Sequence, residues 1–111
     1  MKLKILSRKT SGGLFVEFEI HAPGEREMDH LSVDPPGETY LRLMDLEVEL
    51  RATGEICESP GTGLREHGEF FSEGSYASGG CYEVRDEAAS DTLIARIEGV
   101  FSGVEAEVEY L

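Results

Sequence analysis

Apolar and acidic residues alternate strictly in three stretches of the chain: Val16-Glu17-Phe18-Glu19-Ile20, Leu46-Glu47-Val48-Glu49-Leu50 and Val104-Glu105-Ala106-Glu107-Val108-Glu109-Tyr110. A period of two is what a β-strand produces when one face packs on a core and the other meets water. Each stretch is therefore expected to be a strand with its glutamates outward. The N-terminus continues the pattern, since Leu3 and Ile5 alternate with Lys2 and Lys4. A polar turn through Ser11-Gly12-Gly13 then leads to Leu14, Val16, Phe18 and Ile20, which predicts a first hairpin. From His21 to Thr39 the chain is polar and holds Pro23-Gly24 and Pro35-Pro36-Gly37, the signature of a long loop.

Residues 40–52 carry two periods at once. Met44, Leu46, Val48 and Leu50 alternate, while Tyr40, Leu43, Leu46 and Leu50 lie on a helical stripe. The glutamate alternation favours a strand, with a bulge near Leu43-Met44 to absorb the phase of Leu41 and Leu43. A helix over 40–51 would make the fold α+β instead. Between Gly54 and Asp91 the turn residues Pro60-Gly61-Thr62-Gly63, Gly68, Gly74 and Gly79-Gly80 separate the apolar pieces Phe70-Phe71 and Cys81-Tyr82-Glu83-Val84, which reads as short strands with wide loops. Asp86-Glu87-Ala88-Ala89-Ser90-Asp91 reads as a connecting turn or a single helical turn.

Near the C-terminus, Phe101-Ser102-Gly103-Val104 predicts two strands joined by a two-residue turn. That register sets Phe101 opposite Val104, Gly99 opposite Ala106, Ile97 opposite Val108 and Ala95 opposite Tyr110 on one face. The other face receives Val100 with Glu105, Glu98 with Glu107, Arg96 with Glu109 and Ile94 with Leu111. Arg96 and Glu109 form a favourable cross-strand pair, and Glu98 facing Glu107 invites a compensating cation. Gly99 and Ala106 leave space on the inner face for a bulky core side chain or a ligand. Taken together, the pattern predicts an all-β fold, a small antiparallel β-sandwich or barrel of about six to eight strands, with residues 1–111 as a single domain.

Composition adds the sign of the surface. The formal charge is −13, and all three lysines (Lys2, Lys4, Lys9) and Arg8 fall in the first nine residues. Removing that +4 from the total of −13 leaves −17 over residues 10–111. Such a field repels nucleic acid and anionic membranes and speeds encounter with basic partners, although acidity also serves solubility or a salty cytoplasm. No apolar run approaches the roughly 20 residues of a membrane span. The start of the chain turns polar at Ser7-Arg8-Lys9-Thr10, short of a signal peptide, so a cytoplasmic location is expected. In that reducing compartment Cys57 and Cys81 are expected as free thiols.

Motifs for catalysis are weak. Cys57, His67 and Cys81 are spaced by ten and fourteen residues, unlike the close ligand pairs of zinc sites, and a nucleophilic pair of a cysteine with His21, His30 or His67 requires a shared accessible cleft, which the order of residues does not show. Asp86, Glu87 and Asp91, or Asp29 and Asp34, lack the alternating acidic pattern of a calcium loop. Ser59-Pro60-Gly61-Thr62-Gly63 resembles a phosphate loop in glycine content but has no lysine. No cofactor or metal is predicted. Glutamates at alternate strand positions repeat every ~6.6 to 6.8 Å, close to the spacing of phosphates along one nucleic-acid strand. An acidic sheet can thus imitate a nucleic-acid backbone toward a basic groove.

The reading that follows is a non-enzymatic binding module, of the inhibitor, immunity-protein or nucleic-acid-mimic type, that docks on a basic protein. Glu17, Glu19, Glu47, Glu49, Glu98, Glu105, Glu107 and Glu109 would carry its contacts. Two other classes remain open. A small β-barrel enzyme or ligand-binding protein would use the Gly99/Ala106 gap with Tyr40, His67, Tyr76 or Tyr82 as polar groups. A structural protomer of a viral or prophage assembly would pair edge strands between chains through the apolar outer ends Ile94 and Leu111.

Overall fold

A computed structural model describes residues 2–22, 37–59, 62–72 and 75–111, with the side chains of 22 and 65–78 excepted. The elements run β1 (Lys2–Thr10), β2 (Gly13–Ala22), α1 (Glu38–Ala52), β3 (Gly63–Ser72), β4 (Ser75–Val84), α2 (Glu87–Val100) and β5 (Glu105–Tyr110). The strands form one sheet in the order β3-β4-β2-β1-β5. β5 lies parallel to β1, and all other neighbours are antiparallel. This is an α+β fold with a mixed sheet, which overturns the all-β sandwich or barrel expected from the alternation.

The N-terminal hairpin forms in the predicted phase. β1 and β2 pair with Leu3 opposite Ile20, Ile5 opposite Phe18 and Ser7 opposite Val16, and all six side chains are buried. Most of the stretch expected as a loop after β2 lies outside the described residues. Residues 38–52 then take the helical alternative, and the reason is visible in what they bury. Thr39, Leu43, Leu46 and Leu50 follow the helical stripe into the core. Val48, which a strand would have buried with Leu46 and Leu50, is 62% exposed. Arg51 reaches back one turn to Glu47 at 2.7 Å. Gly54, at φ 78°, closes the helix: its N–H donates to the Arg51 carbonyl and that of Glu55 to the Leu50 carbonyl.

The second correction is larger. The segment expected as the first arm of a C-terminal hairpin is α2, which starts at Asp86, whose carboxylate accepts the Ala89 N–H at 2.8 Å. That bond and the neighbouring Arg85 hold the Asp86 carboxyl below its usual range. Ala89, Ser90, Leu93, Ile94 and Ile97 are buried along one face, with Phe101 just beyond the helix. Of the expected hairpin only the closing turn survives, with the Val104 N–H donating to the Phe101 carbonyl at 3.0 Å, and none of the strand pairs beyond it exists. Ser102-Gly103 still turns the chain, but it turns a helix into a strand that crosses to β1, with Ala106 opposite Leu3 and Val108 opposite Ile5. Glu107 therefore faces Lys4 rather than Glu98, and Arg96 bonds Glu49 on α1 rather than Glu109. Ile94, expected at an outer end, is buried in the core.

Both helices cover one face of the sheet. Leu3, Ile5, Val16, Phe18, Ile20, Tyr82 and Val84 from the strands and the apolar stripes of α1 and α2 form a single core cluster. A buried hydrogen bond between Ser7 Oγ and Ser90 Oγ, at 3.2 Å, ties β1 to α2 across it. The expected Gly99/Ala106 gap is absent, because Gly99 is exposed on α2 and a Cβ built there meets nothing within 4 Å. Gly99→Ala should therefore stabilise the fold by about 0.5–1 kcal/mol, through the backbone entropy that glycine loses in a helix. A urea midpoint that fails to rise would show that Gly99 is not helical in solution.

Candidate functional site

With the helices on one face, the alternating partners of the core residues share the other. The open face carries Lys2, Lys4, Leu6 and Arg8 from β1, Phe15, Glu17, Glu19 and His21 from β2, and Glu105, Glu107 and Glu109 from β5. Three rungs cross it. Glu105 stands beside Lys2 and Lys2 beside His21; Glu107 beside Lys4 and Lys4 beside Glu19; Glu109 beside Leu6 and Leu6 beside Glu17. Side chains on directly opposed residues stand about 4.5–5.5 Å apart at Cβ. The face is thus a basic column between two acidic columns.

A shallow hollow of about 210 Å³ opens on this face, lined by Lys4, Leu6, Glu17, Glu19, Glu107 and Glu109 among others. Leu6 gives it an apolar patch, and the acids and Lys4 surround that patch. On the β2 side the carboxylates are held in place. Glu17 Oε1 accepts from Arg8 Nη2 at 3.0 Å and from the Cys81 thiol at 3.6 Å, and Glu19 Oε2 lies 3.1 Å from His21 Nε2. These are exposed or half-exposed contacts, so they orient the acids more than they stabilise the fold. The three glutamates of β5 are exposed.

Five of the eight glutamates singled out in the sequence therefore meet on one surface: Glu17, Glu19, Glu105, Glu107 and Glu109. The other three do not. Glu47 and Glu49 are on α1 and Glu98 on α2, in the layer behind the sheet. Glu47 is engaged by Arg51, and the Arg96 guanidinium holds the Glu49 carboxyl below its usual range. Sequence reasoning missed the basic column. Its signal was present in Lys2-Leu3-Lys4-Ile5, which has the same period as the acidic runs and carries the opposite charge.

The residues considered for chemistry are scattered or inert. Tyr82 is a core residue rather than a pocket-lining one, and burial raises its hydroxyl well above the usual range, which keeps it protonated. Tyr40 is half-buried on α1, while the side chains of His67 and Tyr76 and all of His30 lie outside the described residues. Cys57 and Cys81 are half-buried and are not joined to each other. Burial, followed by the nearby Glu83 carboxylate, pushes the Cys57 thiol up, which keeps it protonated and weakly nucleophilic. Among the described residues no three His, Cys, Asp or Glu side chains converge as a metal site, and no helix is long and apolar enough to cross a membrane. No protein-family model, curated protein or solved structure matches the chain.

Proposed function

We propose that this chain is a binding module that docks the open face of its sheet on a basic protein surface. The observation that carries the reading is the convergence of Glu17, Glu19, Glu107 and Glu109, from two strands distant in sequence, around one hollow with an apolar floor at Leu6, with Glu105 on the same face one rung further along β5. A cation reaching that hollow would meet carboxylates from both sides, and the column of Lys2, Lys4 and Arg8 would select a partner whose own charges are striped to match. The overall charge of −13 adds long-range attraction and accelerates the encounter.

Two variants of equal charge separate a specific face from bulk acidity. One carries Glu19→Gln, Glu105→Gln, Glu107→Gln and Glu109→Gln on the open face. The other carries Glu38→Gln, Glu87→Gln, Asp91→Asn and Glu98→Gln on the helix layer. Immobilised wild-type chain should retain a basic protein from lysate at low salt and release it at high salt. With that protein purified, the open-face variant should associate about tenfold more slowly and the helix-layer variant at close to the wild-type rate. Equal slowing in both would reduce the acidity to a general field, and retention of no basic protein would end the docking reading.

A further inference from the structure

We infer that the outer edge of β5 receives an extended basic segment of the partner as an added strand. The inference rests on the docking function proposed above and specifies where, and in what conformation, the partner is held.

Backbone geometry comes first. β5 is the last strand of the sheet, and among the described residues only β1 pairs with it. Just past its end, Leu111 donates its N–H to the Ser7 carbonyl at 2.8 Å, and its own carbonyl accepts from the Lys9 N–H at 3.3 Å. Strand residues alternate in the side to which both backbone groups point. Glu105, Glu107 and Glu109 therefore share the side of Leu111, toward β1, and Ala106, Val108 and Tyr110 turn their N–H and C=O groups outward. Such a row is a template for another strand.

Side-chain chemistry then selects the strand. On its inner side β5 already accepts a segment of alternating lysines and apolar residues: Lys2 and Lys4 stand opposite Glu105 and Glu107, and Leu3 and Ile5 opposite Ala106 and Val108. The same three glutamates border the outer edge, and Tyr110 and Leu111 are each 66% exposed beside it. A segment with Lys or Arg at every second position and apolar residues between would reproduce on the outside what β1 supplies on the inside. A second copy of this chain does not fit, because pairing two β5 edges would set glutamates against glutamates.

The test uses the whole chain, labelled with ¹⁵N, and the peptide Lys-Val-Lys-Thr-Lys-Val-Lys with blocked ends at low salt. The expected result is shifts and slowed hydrogen exchange at the amides of Ala106, Val108 and Tyr110. Methylating the peptide's backbone nitrogens at alternate residues, or reordering it to Lys-Lys-Lys-Lys-Val-Thr-Val, should weaken binding about tenfold or more, because the first removes the donors and the second the alternation. The variant Glu105→Gln, Glu107→Gln, Glu109→Gln should weaken it by a similar factor. Equal binding of all three peptides, with shifts at β1 and β2 amides instead, would overturn strand addition while leaving docking on the open face intact. No response at β5, or self-association of the chain in light scattering, would overturn it too, and the retained basic protein of the previous experiment would still decide the docking function separately.

Discussion

Gly79→Ala is expected to cost about 3 kcal/mol or more, at the top of the range for overpacking or beyond it. Gly79 lies within β4, opposite Glu19 of β2. A Cβ placed there would stand 2.1 Å from the Phe18 carbonyl oxygen, 3.1 Å from its carbon and 3.2 Å from the Glu19 Cα. All three obstacles are backbone in the middle of the sheet, so none can swing aside as a side-chain tip would, and relief requires β4 to separate from β2. Gly80→Ala should be milder, since two of the three atoms it would meet, at 3.0 and 3.3 Å, are ring carbons of Phe18 and Tyr82. With Gly99→Ala stabilising, the three substitutions form an ordered series that urea denaturation can read directly. A Gly79→Ala midpoint within about 1 kcal/mol of wild type would mean that β2 and β4 do not pair in this register. The open face depends on the same contact, because β4 pairs with β2 alongside Glu17 and Glu19.

Phe18→Ala should remove about 3–5 kcal/mol, a large fraction of the roughly 5–15 kcal/mol that holds a domain folded. Phe18 is 2% exposed at the centre of β2, opposite Ile5 on β1 and Gly80 on β4. The missing side chain of Gly80 is what admits the ring, and its centroid lies 6.1 Å from that of Phe101, tilted by 49°. Phe101 follows the last turn of α2, so this pair ties the sheet to the segment that sends the chain into β5. Truncation removes the ring's burial, opens a cavity and forfeits the aromatic contact. Phe18→Leu keeps most of the volume and should cost less than about 1.5 kcal/mol. Near-equal midpoints for the alanine and leucine variants would show that the ring is not packed as described. Where both variants remain folded, binding to a basic partner should persist, since the side chain faces away from the open surface.

Much of the open acidic face could be read from local pattern, and much of the fold could not. Period-two alternation correctly put Glu17 and Glu19 on one face of β2 and Glu105, Glu107 and Glu109 on one face of β5, because burial of Val16, Phe18 and Ile20, and partial burial of Ala106 and Val108, leaves the intervening residues no other side. The same alternation misled at Leu46–Leu50, where a five-residue window fits both periods. Only the longer stripe from Thr39 to Leu50 and the left-handed stop at Gly54 separate them. It misled again at Ala95–Phe101, since Ile97 and Phe101 are two alternations apart and also one helical turn apart, while the Asp86 cap that decides for the helix lies nine residues upstream of Ala95. Gly79-Gly80 reads as a turn in one dimension and is a close approach of two strands in three. The sequence by itself determined the charge, the first hairpin and the outward side of β1, β2 and β5, all of which depend on near neighbours and on burial of one face. Only the tertiary structure decided that β5 lies parallel to β1, and hence that two acidic columns flank a basic one. That pairing joins residues about a hundred positions apart, and it is set by how the helices bury their stripes on the sheet rather than by any local preference.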